Sequence, residues 1–247
     1  MTATLTDAQP TAFRRQEKPG DWLIGVTASA SRYAGDLSER YNIKHLQLGW
    51  SAQAHARWRL HESLCIRAET GIYYLHARQQ YTQNAANMLA FYTTNLSLNL
   101  DLEIDALPVD FNMQNILYGV LGGGITNLDP QTTLNGKVIK LTDFNTEGTK
   151  YARWVGQFRY GLGIPFALSR WTQIRVEGTY THVLSDYLDD VSTVYTDKAA
   201  APLLEAQVAD PRRLVGLEPN VAGAQRGNPG KRDGYFLITF QAVYKFH

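Results

Sequence analysis

Residues 46–60 alternate without exception between an apolar and a polar side chain. Leu46, Leu48, Trp50, Ala52, Ala54, Ala56, Trp58 and Leu60 fall on one parity, and Gln47, Gly49, Ser51, Gln53, His55, Arg57 and Arg59 on the other. A period of two puts successive side chains on opposite faces of a strand. One face here is fit for hydrocarbon and the other for charge. The stretch also has the length that a tilted strand needs to cross a bilayer.

The same pattern recurs along the chain. Leu96, Leu98, Leu100, Leu102 and Ile104 oppose Asn95, Ser97, Asn99, Asp101, Glu103 and Asp105. Leu64, Ile66, Ala68, Ile72 and Tyr74 oppose Arg67 and Glu69, and Ile174, Val176 and Tyr180 oppose Gln173, Arg175, Glu177 and Thr179. The closing segment, 235–247, sets Phe236, Ile238, Phe240, Ala242, Tyr244 and Phe246 against Thr239, Gln241 and Lys245. Three glycine-rich segments, 22–32, 115–126 and 154–168, bring the set to eight. Their connections sort by length. Those at 61–63, 108–114 and 169–170 are short, whereas 35–45, 81–87, 128–153 and 185–234 are mostly much longer.

This pattern predicts an all-β chain: an eight-stranded antiparallel transmembrane β-barrel over residues 21–247, with short periplasmic turns, long extracellular loops and both termini periplasmic in the cell outer membrane. A soluble barrel of the lipocalin type shares the period but points its apolar face inward. It would have to coat its wet outer wall with these charges while the leucines filled a cup. The loop asymmetry and the aromatic last strand favour the membrane form.

Composition limits the alternatives. No run of 18 apolar residues exists, so membrane residence by helix is excluded and the strands must carry it. Lys plus Arg number 24 and Asp plus Glu 23, a balance that offers no global attraction for nucleic acid. The single cysteine, Cys65, excludes an internal disulfide and a cysteine-based metal cage. Residues 1–20, with Pro10 and Pro19, read as a flexible lead-in. Its first residues, 1–9, fit the tail of a signal peptide whose start lies upstream.

An eight-stranded barrel has a lumen that side chains can fill. In the predicted topology Arg57, Arg59, Arg67, Glu69, Asp101, Glu103, Asp105, Arg175 and Glu177 share the periplasmic end of that lumen. Opposite charges at one level neutralise each other, which suggests a structural plug, with a proton or ion relay as the alternative. For catalysis, His182, Ser185 and His76 are the residues to test as an acyl-transfer set near the outer rim. His182 and Ser185, three positions apart on a strand, point to opposite faces. There is no Gly-x-Ser-x-Gly elbow, zinc motif or phosphate loop, and no cofactor is expected. The loop 185–192 holds Asp186, Asp189 and Asp190, with Asp197 beyond. Turn-forming and capping roles fit these aspartates better than calcium, because the glycine and regular ligand spacing of a calcium loop are missing. Arg212, Arg213, Arg226, Lys231 and Arg232 are expected to meet lipopolysaccharide or water, not nucleic acid.

Three segments together resemble one family. They are residues 25–37, ending Tyr33-Ala34-Gly35-Asp36-Leu37; the run Leu184-Ser185-Asp186-Tyr187-Leu188-Asp189-Asp190-Val191-Ser192, followed by Tyr195; and Arg226-Gly227-Asn228-Pro229-Gly230-Lys231 before the aromatic last strand. From about residue 21 to 246 the chain resembles the PorG-type barrels of Bacteroidetes, outer-membrane components of the type IX secretion system that exports proteins and in some species supports gliding. The resemblance implies a non-enzymatic barrel that anchors the periplasmic ring formed by a lipoprotein and its partner. A stand-alone structural or adhesive barrel, and a lipid-modifying barrel enzyme, are the other readings.

Overall fold

The structure is a computed structural model, and it describes residues 17–39, 44–106 and 117–246. Strands β1 (Trp22–Ala34), β2 (Leu48–His61), β3 (Leu64–Arg78), β4 (Ala90–Asp105) and β5 (Tyr118–Asn127) are followed by a small hairpin, β6 (Gln131–Leu134) and β7 (Lys137–Lys140). Then come β8 (Trp154–Ala167), β9 (Thr172–Val183) and β10 (Gly234–Lys245). Leaving the hairpin aside, each strand pairs antiparallel with its neighbours in chain order. Pairing of β1 with β10 and of β3 with β4 closes the ring. The result is an eight-stranded antiparallel barrel without a free edge, which removes the exposed row of backbone donors and acceptors that an open sheet presents.

Period two in sequence becomes inside and outside. Along β2 from Ser51 to Arg59, and along β4 from Asn95 to Asp105, every polar position of the alternation is buried, and the leucines and tryptophans between them face out or are half-exposed. Leu100 is 61% exposed and Val26 63%, an arrangement opposite to that of a water-soluble barrel. Aromatic side chains ring this apolar band at both ends. At the short-turn rim Trp22 stacks on Trp58 at 5.7 Å and Tyr244 meets Phe246 edge-on at 5.5 Å. At the other rim Trp50 stacks on Tyr74, and Tyr160, Tyr180 and His182 cluster. Of the closing strand, Phe236, Ile238, Phe240, Tyr244 and Phe246 all face out.

β2 joins β3 through Glu62 and Ser63, and β8 joins β9 through residues 168–171. The expected turn at 108–114 lies outside the described residues, as do residues 1–16, 115 and 116 of the fifth strand, and His247. The described residues next to β1 and β10 lie at the short-turn rim, where Gly20 N donates to Arg59 O (2.8 Å) and Phe246 N to Trp22 O (2.9 Å).

β3 runs to Arg78 and β4 starts at Ala90, on either side of the expected connection at 81–87, although the alternation does not reach so far, because at the long-loop end the inward positions turn apolar. Tyr73, Leu75, Ala77, Phe91, Val183, Tyr235 and Leu237 line that end. Leu37, Leu128, Leu134, Leu141, Leu188, Val191 and Val208 from the connections fill it. Each buried leucine contributes roughly 1.5–3 kcal/mol. The expected long connection at 185–234 is a folded cap over the barrel mouth containing helix α1 (Leu203–Ala209), which buries Ala206, Val208 and Ala209.

Candidate functional site

The lower lumen is a closed network of ions. Register sets Arg67 directly across from Asp101 and Cys65 across from Glu103. Glu103 accepts from Arg57 Nη2 (2.6 Å) and Arg175 Nη2 (2.9 Å), and its other oxygen lies 3.1 Å from Arg67 Nη1. Arg67 also reaches Glu177 (2.8 Å) and Asp101 (3.1 Å), and Arg59 pairs with Asp105. Tyr118 donates to Glu177 (2.9 Å) while Arg175 lies over its ring at 3.9 Å. The nine lumen charges expected from sequence are all 5% exposed or less, so this geometry brings them together.

Two members were not anticipated. Arg159 of β8 bonds Glu69 (2.5 Å) and Asp101. Its inward parity was readable from the exposed Phe158 and Tyr160, but the glycines of that segment blurred the alternation. Glu17 lies in the expected lead-in, yet its carboxylate sits 3.4 Å from Arg57 and 3.5 Å from Arg59 and accepts from Gln173 (2.7 Å). Arg57, Arg59, Arg67, Arg159 and Arg175 thus face Glu17, Glu69, Asp101, Glu103, Asp105 and Glu177. In a low-dielectric interior such mutual compensation is what makes burial of these charges tolerable. On β5, Gly122 points inward, where a Cβ would collide with the Asp101 carboxylate.

The 186–191 motif is the inner lining of the cap. Leu188 and Val191 are buried, and Tyr187 stacks on Tyr151 at 4.6 Å. Asp189 accepts from the Tyr33 hydroxyl (2.5 Å) and from Val191 N (2.9 Å). Asp190 has a left-handed backbone (φ 65°) and accepts from Thr146 Oγ1 (2.7 Å), Tyr151 OH (3.0 Å) and Arg226 Nη2 (3.3 Å). Arg226 binds Glu147 at 2.8 Å, and Glu147 accepts from the amides of Ser192 and Thr193. Burial pushes the Asp190 carboxyl up to about 6 and that of Asp186, which accepts from Ser192 Oγ, up to about 7.

Asp189 keeps the expected turn role through Val191 N and Asp197 through Ala199 N (2.8 Å), while Asp186 and Asp190 accept from side chains instead. Their partners differ, and among the described residues no group of three or more acidic, His or Cys side chains is disposed to hold a metal. Arg226, expected at the surface, is buried here, whereas Arg212 bonds Asn220 (3.1 Å), Lys231 Nζ donates to Gly35 O (3.4 Å) and Arg232 is exposed. His182 faces outward against Tyr180 (4.6 Å), and His76 lies against Tyr74 (5.6 Å). Strands β2, β1 and β10 separate these histidines around the ring, so no acyl-transfer set is assembled.

Against known proteins, no family model matches the chain and no curated protein matches it. Among solved structures, Neisserial surface protein A matches with a TM-score of 0.50 over 91% of this chain and 97% of that one, at 10% identity. The fold is that of a small outer-membrane barrel. OprG from Pseudomonas aeruginosa (TM-score 0.46, 12% identity, 95% and 99% covered) and Ail of Yersinia pestis, in complex with a heparin analogue (0.44, 12%, 93% and 100%), also match. The likeness to Neisserial surface protein A is one of fold.

Proposed function

We propose that this chain is an integral barrel of the cell outer membrane with a structural, non-enzymatic role, its short-turn rim in the periplasm and its cap outside. The observation that carries this reading is the pairing of an apolar outer band, girdled by aromatic rings, with a lumen filled by compensated charge. Its direct partners are outer-membrane lipid and lipopolysaccharide. Lys231 and Arg232 stand beside the upper aromatic cluster, in a recess with Tyr180 and His182, where phosphate headgroups would lie.

The finer form of the proposal is that the barrel anchors the periplasmic ring of a type IX secretion machine. The family-like segments support it, and the short-turn rim is the surface that would face the lipoprotein and its partner. A mild-detergent pull-down of the tagged protein from its native outer membrane tests both levels. Co-purification of periplasmic ring proteins would support the secretion role. A clean, heat-modifiable monomer would leave a stand-alone structural or adhesive barrel. Recovery of the protein in the soluble fraction, without detergent, would overturn the membrane reading itself.

A further inference from the structure

Tyr33 carries one hydroxyl proton, and two buried carboxyl groups lie within hydrogen-bonding distance of its oxygen. Asp189 Oδ2 is 2.5 Å away and Asp233 Oδ1 2.7 Å. The phenol can donate to only one of them. The other contact is a hydrogen bond only if that carboxyl itself carries a proton and donates to the phenol oxygen. All three side chains are 2% exposed or less, and Gly35 closes over them, since a Cβ there would collide with both the hydroxyl and Asp233.

The remaining oxygens hold the cap. Asp233 Oδ2 accepts from Leu188 N (3.0 Å) and Asp189 Oδ1 from Val191 N (2.9 Å). Three separate parts of the chain meet at this hydroxyl: the end of β1, the cap segment, and the residue preceding β10. We propose that Tyr33, Asp189 and Asp233 form a proton-dependent latch that fastens residues 186–192 over the barrel mouth and loosens them as pH rises.

The surroundings disfavour two negative charges at this point. Asp36 and Asp186 face the pair and add like charge, and Tyr151 approaches Asp189. The nearby cations are engaged elsewhere, Lys231 opposite Asp36 and Asp186, and Arg226 with Asp190 and Glu147. Burial pushes both latch carboxyls well above the ordinary aspartate range. The closed cap therefore holds more protons than the opened one. Closure is complete below about pH 4, where the opened state is protonated too, and weakens as pH rises from there through the raised values, by up to about tenfold per proton and pH unit. Loss of the proton leaves one hydroxyl hydrogen for two carboxylates, so one strut to the cap is lost.

The test is backbone hydrogen exchange of the full chain in detergent micelles, corrected for intrinsic rates, at pH 5, 7 and 9. In the wild type, protection at Leu188 and Val191 should fall at least tenfold across this range while protection in β2 and β3 holds. Asp233→Asn supplies a permanent donor to Tyr33 and still accepts from Leu188 N, so its cap should lose protection less steeply than wild type between pH 5 and 9, keeping only the fade that Asp186 and Asp190 contribute. Asp189→Asn should do the same from the other side. Wild-type protection that does not change with pH would overturn the latch. So would an Asn variant that loses protection as steeply as wild type, because Asp186 or Asp190 would then carry the effect. Failure of both Asn variants to fold would also count against it, since a neutral amide should fit where a protonated carboxyl does.

Discussion

Glu103 is the residue on which the lumen most depends. It compensates Arg57, Arg67 and Arg175 at once. Glu103→Gln should therefore destabilise the barrel by on the order of 3–5 kcal/mol, read as a lower temperature for loss of the compact, heat-modifiable band in gel electrophoresis. Gly122→Ala should act on the same network by displacing Asp101 from Arg67 and Arg159, at about 1–3 kcal/mol in the same assay. The inward parity of Glu103 was legible from sequence, whereas that of Gly122, the first of three consecutive glycines, was not. Which arginines they meet was not legible either, because neither lies near its partners along the chain.

At the scale of elements, the cap is a separate unit from the wall that carries it. Arg226 ties the 186–192 segment to Glu147, which lies in the connection between β7 and β8. Arg226→Met should expose residues 184–233 to limited proteolysis several-fold faster, while the barrel band in the gel stays unchanged. The cap should also respond to pH through Asp190 and Asp186, raised to about 6 and about 7. Their folded forms hold protons that the open forms release, so this contribution is full below about pH 4 and fades as pH rises through 6 and 7. Asp186→Asn should remove the upper part of that fade, measured as protease resistance at pH 5 against pH 8. The sequence marked this region as a long loop with turn-forming residues. That its aspartates face inward depends on Tyr33 of β1, on Thr146 and Tyr151 of the connection between β7 and β8, and on Arg226, 36 positions from Asp190.

For the whole molecule, the filled lumen has a direct consequence. Purified protein in planar bilayers should show no single-channel steps, and liposomes carrying it should retain small sugars. Regular stepwise conductance would mean that the ion network opens and that the relay reading was the better one. Glu17 extends the plug to the short-turn rim through Arg57, Arg59 and Gln173. The last turn of the lead-in is thus part of the barrel interior.

Eight alternating segments, short and long connections in turn, and a polar face destined for the lumen are all determined by the chain itself. A wall with hydrocarbon on one side and charge on the other imposes a period of two on every strand that builds it, whatever its neighbours are. Where both faces of a strand are apolar, as at the barrel mouth, that period vanishes and the sequence cannot distinguish lipid from core. Tertiary structure alone decided the partners. Ring closure and register bring Arg67 to Glu177 across 110 positions, and Tyr33 to Asp189 and Asp233 across 156 and 200. Those meetings depend on the stagger of all eight strands together, and no local stretch of sequence carries that information.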